Sequence, residues 1–269
     1  MQFSVLMSVY HKDNPQWLKQ AIDSVLNNTI KPNEIVVAID GPIGKDLKDI
    51  LKEYEKNIPN FQNVFLLENK GRGEALNKVL PMCKYDLVAL IDADDINLPM
   101  RFELLLNCFE KDKDLSIAGG YIQEFKNIND MLSIKKVPLT NEEIYKYTKF
   151  RSPINQPTVM FKKNDILKIG GYEELYLMED YLLWIKAVEN KLKLCNVPEI
   201  LVNMRVNDKF FIRRSGYKYF KSNKNIFDRL LKIRMINIFT YVFNVTGRFV
   251  VQVLMPNSIR EIFYKKVLR

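Results

Sequence analysis

Four apolar runs of strand length, each followed by a stretch with helical spacing, constrain this chain more than any other feature. They are Phe3–Tyr10, Glu34–Ile39, Val64–Leu67 and Asp86–Ile91. A strand that is apolar on both sides of its pleat must be covered on both faces. Such runs therefore read as a largely parallel sheet flanked by helices, an α/β fold. The intervening segments supply the covers. Asn14-Pro15 offers an N-cap and a proline at the first helical position, and Leu18, Ala21, Ile22, Val25 and Leu26 follow at helical spacing. Further helices are predicted over Lys45–Lys56, over Glu74–Leu80 and from about Pro99. In sheets of this kind ligands sit at the carboxyl ends of the strands. The polar signals gather there: Tyr10-His11, Asp40-Gly41, Asn69-Lys70-Gly71 and Asp92-Ala93-Asp94-Asp95.

The second half is less regular. Tyr121–Phe125, Val159–Phe161 and Leu192–Val197 read as strands, Gly170-Gly171-Tyr172 as a turn and Tyr181–Glu189 as a helix. From about Tyr217 the pattern is helical, basic and aromatic. Ile236–Met255 is apolar but interrupted by Asn237, Asn244, Arg248 and Gln252, which suits an interfacial or packed helix better than a membrane span. The expected division is a catalytic domain over 1–206, with a nucleotide half to about 110 and an acceptor half over 111–206, and a helical basic tail over 207–269.

Composition narrows the chemistry. One histidine in 269 residues excludes an HExxH zinc site and leaves little room for a Ser-His-Asp triad. Cys83, Cys108 and Cys195 form neither a CxxC pair nor a disulfide framework, which fits a reducing compartment. Met1 leads straight into the first apolar run without a basic n-region, so a cytoplasmic location is expected. Chemistry must then rest on carboxylates, hydroxyls, lysines or a bound metal. Charge is unevenly spread: residues 205–269 hold 15 Lys and Arg against three Asp and Glu, a net +12 that leaves residues 1–204 at −3. A basic appendage of this kind suits an anionic membrane surface or nucleic acid.

Each motif has a functional and a plain reading. The three carboxylates of Asp92-Ala93-Asp94-Asp95 repel one another unless solvated, hydrogen-bonded or bound to a cation. They suit a hard divalent ion such as Mn²⁺ or Mg²⁺ bridging to phosphate, or else a solvated helix-capping turn. Ile96 and Asn97 rule out an EF-hand spacing. Asp40 at the sheet's switch point offers an acceptor to a base or ribose, or closes an ordinary turn. Asn69–Gly73 opens a helix where backbone N–H groups and two cations could meet phosphate, or is a glycine turn. Glu179-Asp180 at a helix start favours the helix dipole or presents a general base. Arg205, Arg213 and Arg214 suit a diphosphate clamp or a solvated face.

In order along the chain, Ser8-Val9-Tyr10, Asp40-Gly41-Pro42, Asn69-Lys70-Gly71, Ala75-Leu76-Asn77, Asp92-Ala93-Asp94-Asp95, Pro99-x-Arg101-Phe102-Glu103, Gly170-Gly171-Tyr172 and Glu179-Asp180 resemble the family 2 glycosyltransferases over roughly residues 3–206. The ending Pro256-x-x-x-Arg260-x-x-x-Tyr264-x-x-x-Leu268-Arg269 is similar to family chains from bacterial capsule and O-antigen clusters. Gln156-Pro157 stands where relatives often carry His-Pro.

The resemblance implies a GT-A fold and inverting transfer from a nucleotide sugar, with uridine diphosphate the expected carrier, to a saccharide acceptor, expected to be lipid-linked. It implies Asp94 as ligand of a Mn²⁺ or Mg²⁺ ion and Asp180 as the base, supported by Glu179. The donor would be bound by Ser8, Tyr10, Asp40, Asn69, Gly71, Arg72, Asn77, Asp92, Asp95, Arg205 and Arg213. The tail is expected at the inner face of the cell membrane, with Arg213, Arg214, Lys218, Lys221 and Lys224 meeting anionic lipid, and no nucleic acid is expected. A sugar-1-phosphate nucleotidyltransferase would need a glycine-rich N-terminal loop, and Phe3–Tyr10 holds no glycine. A nucleic-acid-binding protein would leave the ordered acids unexplained, and a non-catalytic sugar binder would leave donor intact.

Overall fold

The computed structural model describes residues 1–127, 130–206 and 213–256. Asn207 to Ile212 and the 257–269 ending, with its Arg260, Tyr264 and Leu268, lie outside the described residues. The first half alternates as the apolar runs require: β1 (Phe3–Val9), α1 (Pro15–Leu26), β2 (Glu34–Ile39), α2 (Lys45–Asn57), β3 (Phe61–Phe65), α3 (Arg72–Val79) and β4 (Leu87–Asp92). The Asn14 side chain caps α1 by accepting from the N–H groups of Gln16 at 2.9 Å and Trp17 at 3.2 Å. These strands run parallel in the order β3-β2-β1-β4, and Ser8, Ala38 and Asp92 lie level at their carboxyl ends.

Beyond β4 the sheet becomes mixed. Its remaining elements are β5 (Ile96–Asn97), α4 (Arg101–Lys111), β6 (Leu115–Phe125), β7 (Met131–Lys135), α5 (Asn141–Thr148), β8 (Met160–Lys162), α6 (Lys163–Lys168), α7 (Glu179–Glu189) and β9 (Lys193–Arg205). The full order is β3-β2-β1-β4-β8-β6-β9-β5, with β7 beside β6. β8 is antiparallel to β4 and β6, whereas β6 and β9 are parallel. Helices α1, α2 and α4 cover one face through residues such as Leu18, Leu51 and Phe102. α3 and α7 cover the other through Leu76, Leu183 and Trp184.

Three elements depart from expectation. β3 begins three residues earlier than read, because Phe61–Phe65 pairs with Ile35–Ile39 and Leu67 is 96% exposed. β6 starts at Leu115 rather than Tyr121, running through Gly119-Gly120. A Cβ on Gly120 would lie 2.6 Å from Leu201 of β9, so this glycine permits close approach rather than breaking the strand. β9 extends to Arg205, far past Val197, under that pairing.

The tail is helical from α8 (Gly216–Lys232), followed by α9 (Ile238–Phe249) and a π-helical turn at Val250–Leu254. α8 shares a core with α7: Tyr219, Ile226, Phe227 and Leu230 pack with Met178, Tyr181 and Ile185. Among the described residues no helix is long and apolar enough to cross a membrane.

Candidate active site

The carboxyl ends of β2 and β3 are bound to each other. The Asp40 carboxylate accepts from the N–H groups of Lys70 and Gly71, each at 2.9 Å, while the Asn69 side chain donates to the Asp40 carbonyl at 3.0 Å. Of the two readings of Asn69–Gly73, the N–H groups of Lys70 and Gly71 follow the glycine turn: a buried carboxylate already occupies them. The two cations are engaged as well. Lys70 Nζ lies 3.6 Å from Glu68, and Arg72 pairs with Asp92. Gly41 makes the close approach possible, with φ +79° and its absent Cβ otherwise 2.5 Å from Asn69 N. Gly41→Ala should therefore cost about 1–3 kcal/mol. Thermal melts should show a loss of about 2–4 °C per kcal/mol.

The acids of the β4 end are gathered rather than solvated. Asp95 is buried, accepts from the Arg205 N–H at 2.8 Å through Oδ1, and leaves Oδ2 without a partner. Burial, then the charges of Asp94 and Asp92, push its carboxyl well above the usual range. Burial and Asp92 push Asp94 up to about 6. Sequence reasoning missed a fourth acid, Asp13, which is pushed up to about 7 by burial, with Asp94 and Asp92 adding. Its Oδ2 accepts from the Tyr10 N–H at 2.9 Å. An acid four residues past the end of β1 was the available signal. Positive charge comes from Arg72 in the first turn of α3. Burial alone would lower its pKa, but Asp92, with Tyr172, Glu179 and Asp180, outweighs that and raises it.

Arg205 was expected on the donor. Here it fastens the acidic loop: Nε donates to the Asp94 carbonyl at 3.1 Å, Nη2 to Gln20 at 2.8 Å, and the guanidinium lies over the rings of Trp17 and Phe125. Arg101 is buried beneath the loop. Its Nη2 donates to the Leu90 carbonyl at 2.6 Å, its Nη1 bonds Asn97, and burial pushes its pKa down to about 9. Both arginines act as positioning residues.

α7 brings the second pair of acids toward Arg72. Asp180 Oδ1 accepts from the Tyr181 N–H at 2.7 Å. Burial raises the carboxyl, against the opposing pull of Lys135, Arg72 and Arg214. Glu179 is raised by burial and then by Asp180. Asn77, also expected at the donor, instead clamps the turn before α7: its side chain accepts from the Tyr172 N–H at 2.8 Å and donates to the Tyr172 carbonyl at 2.7 Å. An amide with both ends bonded to backbone holds a turn and has little left for a ligand. Gln156 donates to the Tyr172 hydroxyl at 3.0 Å. Arg213 is exposed, and its charge reaches Tyr10.

The donor set suits a hard divalent cation: all the candidate ligands are carboxylate oxygens, mutually repelling, and one buried oxygen of Asp95 lacks a partner. Among the described residues no group of three or more His, Cys, Asp or Glu side chains is assembled to hold a metal by itself.

Residues 4–170 match the Glycosyl transferase family 2 domain. The chain belongs to this family. This family 2 glycosyltransferase is 39% identical over 269 residues to an Escherichia coli UDP-Gal:alpha-D-GlcNAc-diphosphoundecaprenol beta-1,3-galactosyltransferase, covering 100% of this chain and 97% of that protein. It is 30% identical to the amylovoran biosynthesis glycosyltransferase AmsE of Erwinia amylovora, over 98% of each chain. Its fold also matches the mannosyltransferase PcManGT from Pyrobaculum calidifontis, solved in complex with GDP-Man and Mn²⁺. The TM-score is 0.65 at 13% identity, covering 96% of this chain and 71% of that one. The family 2 glycosyltransferase thus has the GT-A architecture that its motif order implied, and it is a sugar-transferring enzyme.

Proposed function

We propose that this enzyme transfers a hexosyl group from a UDP-sugar to a lipid-linked saccharide acceptor, with inversion, in surface polysaccharide synthesis. The observation that carries this reading is the convergence on Arg72. Its guanidinium pairs with Asp92 at the end of β4, and its charge is felt by Glu179 and Asp180 at the start of α7. Arg72 therefore links a donor-side and an acceptor-side group of acids. The 39% identity to a UDP-galactose-dependent, lipid-linked-acceptor enzyme over the whole chain supports the substrate classes.

In this mechanism Asp180 takes the acceptor hydroxyl proton as that oxygen bonds to the anomeric carbon and the bond to the diphosphate breaks on the opposite face. Its burial makes it a stronger proton acceptor than an ordinary carboxylate, and Tyr181 N–H fixes its orientation. Asp94, with Asp92, would hold Mn²⁺ or Mg²⁺, which when bound supplies charge stabilisation to the departing nucleoside diphosphate. Ser8, Tyr10, Asp40, Asn69 and Gly71 frame the nucleotide end, and Asp95 keeps the acidic loop against β9 through the Arg205 N–H.

A thermal-shift panel of UDP-hexoses and GDP-mannose, each with and without Mn²⁺, tests the donor class. A ligand at about 100 times its Kd stabilises the folded state by about 2.7 kcal/mol. A UDP-sugar is expected to raise Tm by several degrees, and only with the metal present. A response confined to GDP-mannose would reverse the nucleotide assignment.

A further inference from the structure

α9 is built inside out for a helix on a protein surface. Its polar residues face the protein. Asn244 and Gln252 are buried, Tyr241 donates its hydroxyl to Asp228 at 2.7 Å, and Arg248 bonds Asn223 at 3.2 Å, Asn244 at 3.1 Å and the Phe150 carbonyl at 2.7 Å. The apolar residues are turned out. Ile238, Phe239, Val242, Phe243, Val250 and Leu254 are exposed, with Phe239 at 82% and Phe243 at 78%. They recur at helical spacing and form one row along α9 and its π-helical end, with only Thr246 and Gly247 between. No charged side chain interrupts that row. A water-facing helix ordinarily shows the reverse pattern, and contiguous apolar surface of this kind marks a contact with something apolar.

The surrounding charge says what covers it. Residues 213–256 carry nine Lys and Arg against one Asp; Lys232 and Arg234 are exposed at the α8–α9 corner, and Lys221 is exposed near the start of α8. Two copies meeting through this face would bring two such basic flanks together, which opposes self-association. An anionic lipid surface matches both features at once, because it offers acyl chains to the aromatic row and phosphate to the rim.

We propose that α9 lies in the membrane–water interface, with Phe239, Val242, Phe243, Val250 and Leu254 seated among the acyl chains of an anionic phospholipid leaflet. Apolar insertion, more than the cations expected from sequence, then holds the enzyme. Two of those cations already have protein partners: Lys224 bonds Asp228 at 2.8 Å, and Lys218 lies 4.1 Å from the centre of the Tyr176 ring. The inserted helix is also close to the acceptor side of the cleft. Arg248 holds the turn after α5 at Phe150, and Tyr181, next to Asp180, donates to the Thr148 carbonyl at the end of α5 at 2.6 Å. The inference deepens the lipid-linked acceptor reading and rests on it only for its purpose, not for its physics.

The test uses the full chain and its Phe239→Ser/Phe243→Ser variant, in flotation with vesicles of phosphatidylglycerol and phosphatidylethanolamine. Both phenylalanines are outside the packed core, so the variant should keep the parent's Tm. The parent should float at low salt and remain largely bound in high salt, which screens charge but not apolar burial. The double variant should partition roughly 100-fold more weakly, given the transfer energy of two aromatic side chains. Transfer to a water-soluble, short-chain acceptor should be equal for both, which separates failure of membrane binding from failure of the enzymatic reading. Lack of flotation by the parent, equal flotation by the variant, or a parent dimer that the variant breaks would each overturn the proposal, the last by assigning the face to a second copy.

Discussion

Asp94→Asn is expected to reduce sugar transfer by roughly 10³-fold or more, the scale of several kcal/mol of lost charge stabilisation. The variant should also lose any metal-dependent gain in donor affinity. Asparagine keeps the shape of the side chain, and the bond from Arg205 Nε runs to the Asp94 backbone carbonyl, so the loop should stay in place. Removing one of the mutually repelling carboxylates should leave Tm unchanged or slightly raised, because Asp92 and Asp95 are each relieved of a neighbouring negative charge. Steady-state kinetics with and without EDTA check this. Full activity in the variant, or in wild type with EDTA, would remove the metal from the account.

Asp180→Asn should lower kcat by roughly 10²–10⁴-fold, the contribution of a positioned proton acceptor. Donor affinity should change little, since the residue lies at the start of α7, across Arg72 from the β4 acids. The wild-type rate should rise with pH through an apparent pKa above the ordinary carboxylate range. The sign follows from the role: burial favours the protonated acid, and only the ionised form accepts the acceptor's proton. A variant that loses donor binding yet keeps its turnover would move Asp180 to the donor side.

The parallel block was legible because its strands are apolar on both sides and end in polar clusters, a pattern that strand burial imposes directly. β1, β2 and β4 therefore appear within a residue of their predicted bounds. β3 was misplaced because Leu66 and Leu67 continue an apolar run that the backbone leaves at Phe65. The β6–β9 pair was underestimated because its partners are about 80 residues apart, and a glycine pair looks the same in a sequence whether it breaks a strand or lets another approach. The site was legible as a set of positions but not as a set of contacts. Asn77 and Arg205 sit in the expected neighbourhood, yet both bond protein groups. Nothing in a sequence distinguishes an amide facing a ligand from one clamping Tyr172. Asp13 was missed because a single acid after a strand carries no spacing. The α9 face was hidden for a different reason: Asn244, Arg248 and Gln252 interrupt the run, and only the packing reveals that they point inward.

The most direct measurement is a transfer assay by mass spectrometry with each UDP-hexose and a saccharide-diphosphate acceptor on a short alkyl chain, with Mn²⁺ present. For one donor the expected products are acceptor heavier by a single hexosyl residue, UDP released in equal amount and an inverted anomeric centre. Absence of both product and UDP release across the panel, or formation of a nucleotide sugar from a nucleoside triphosphate and a sugar phosphate instead, would contradict the proposed transfer.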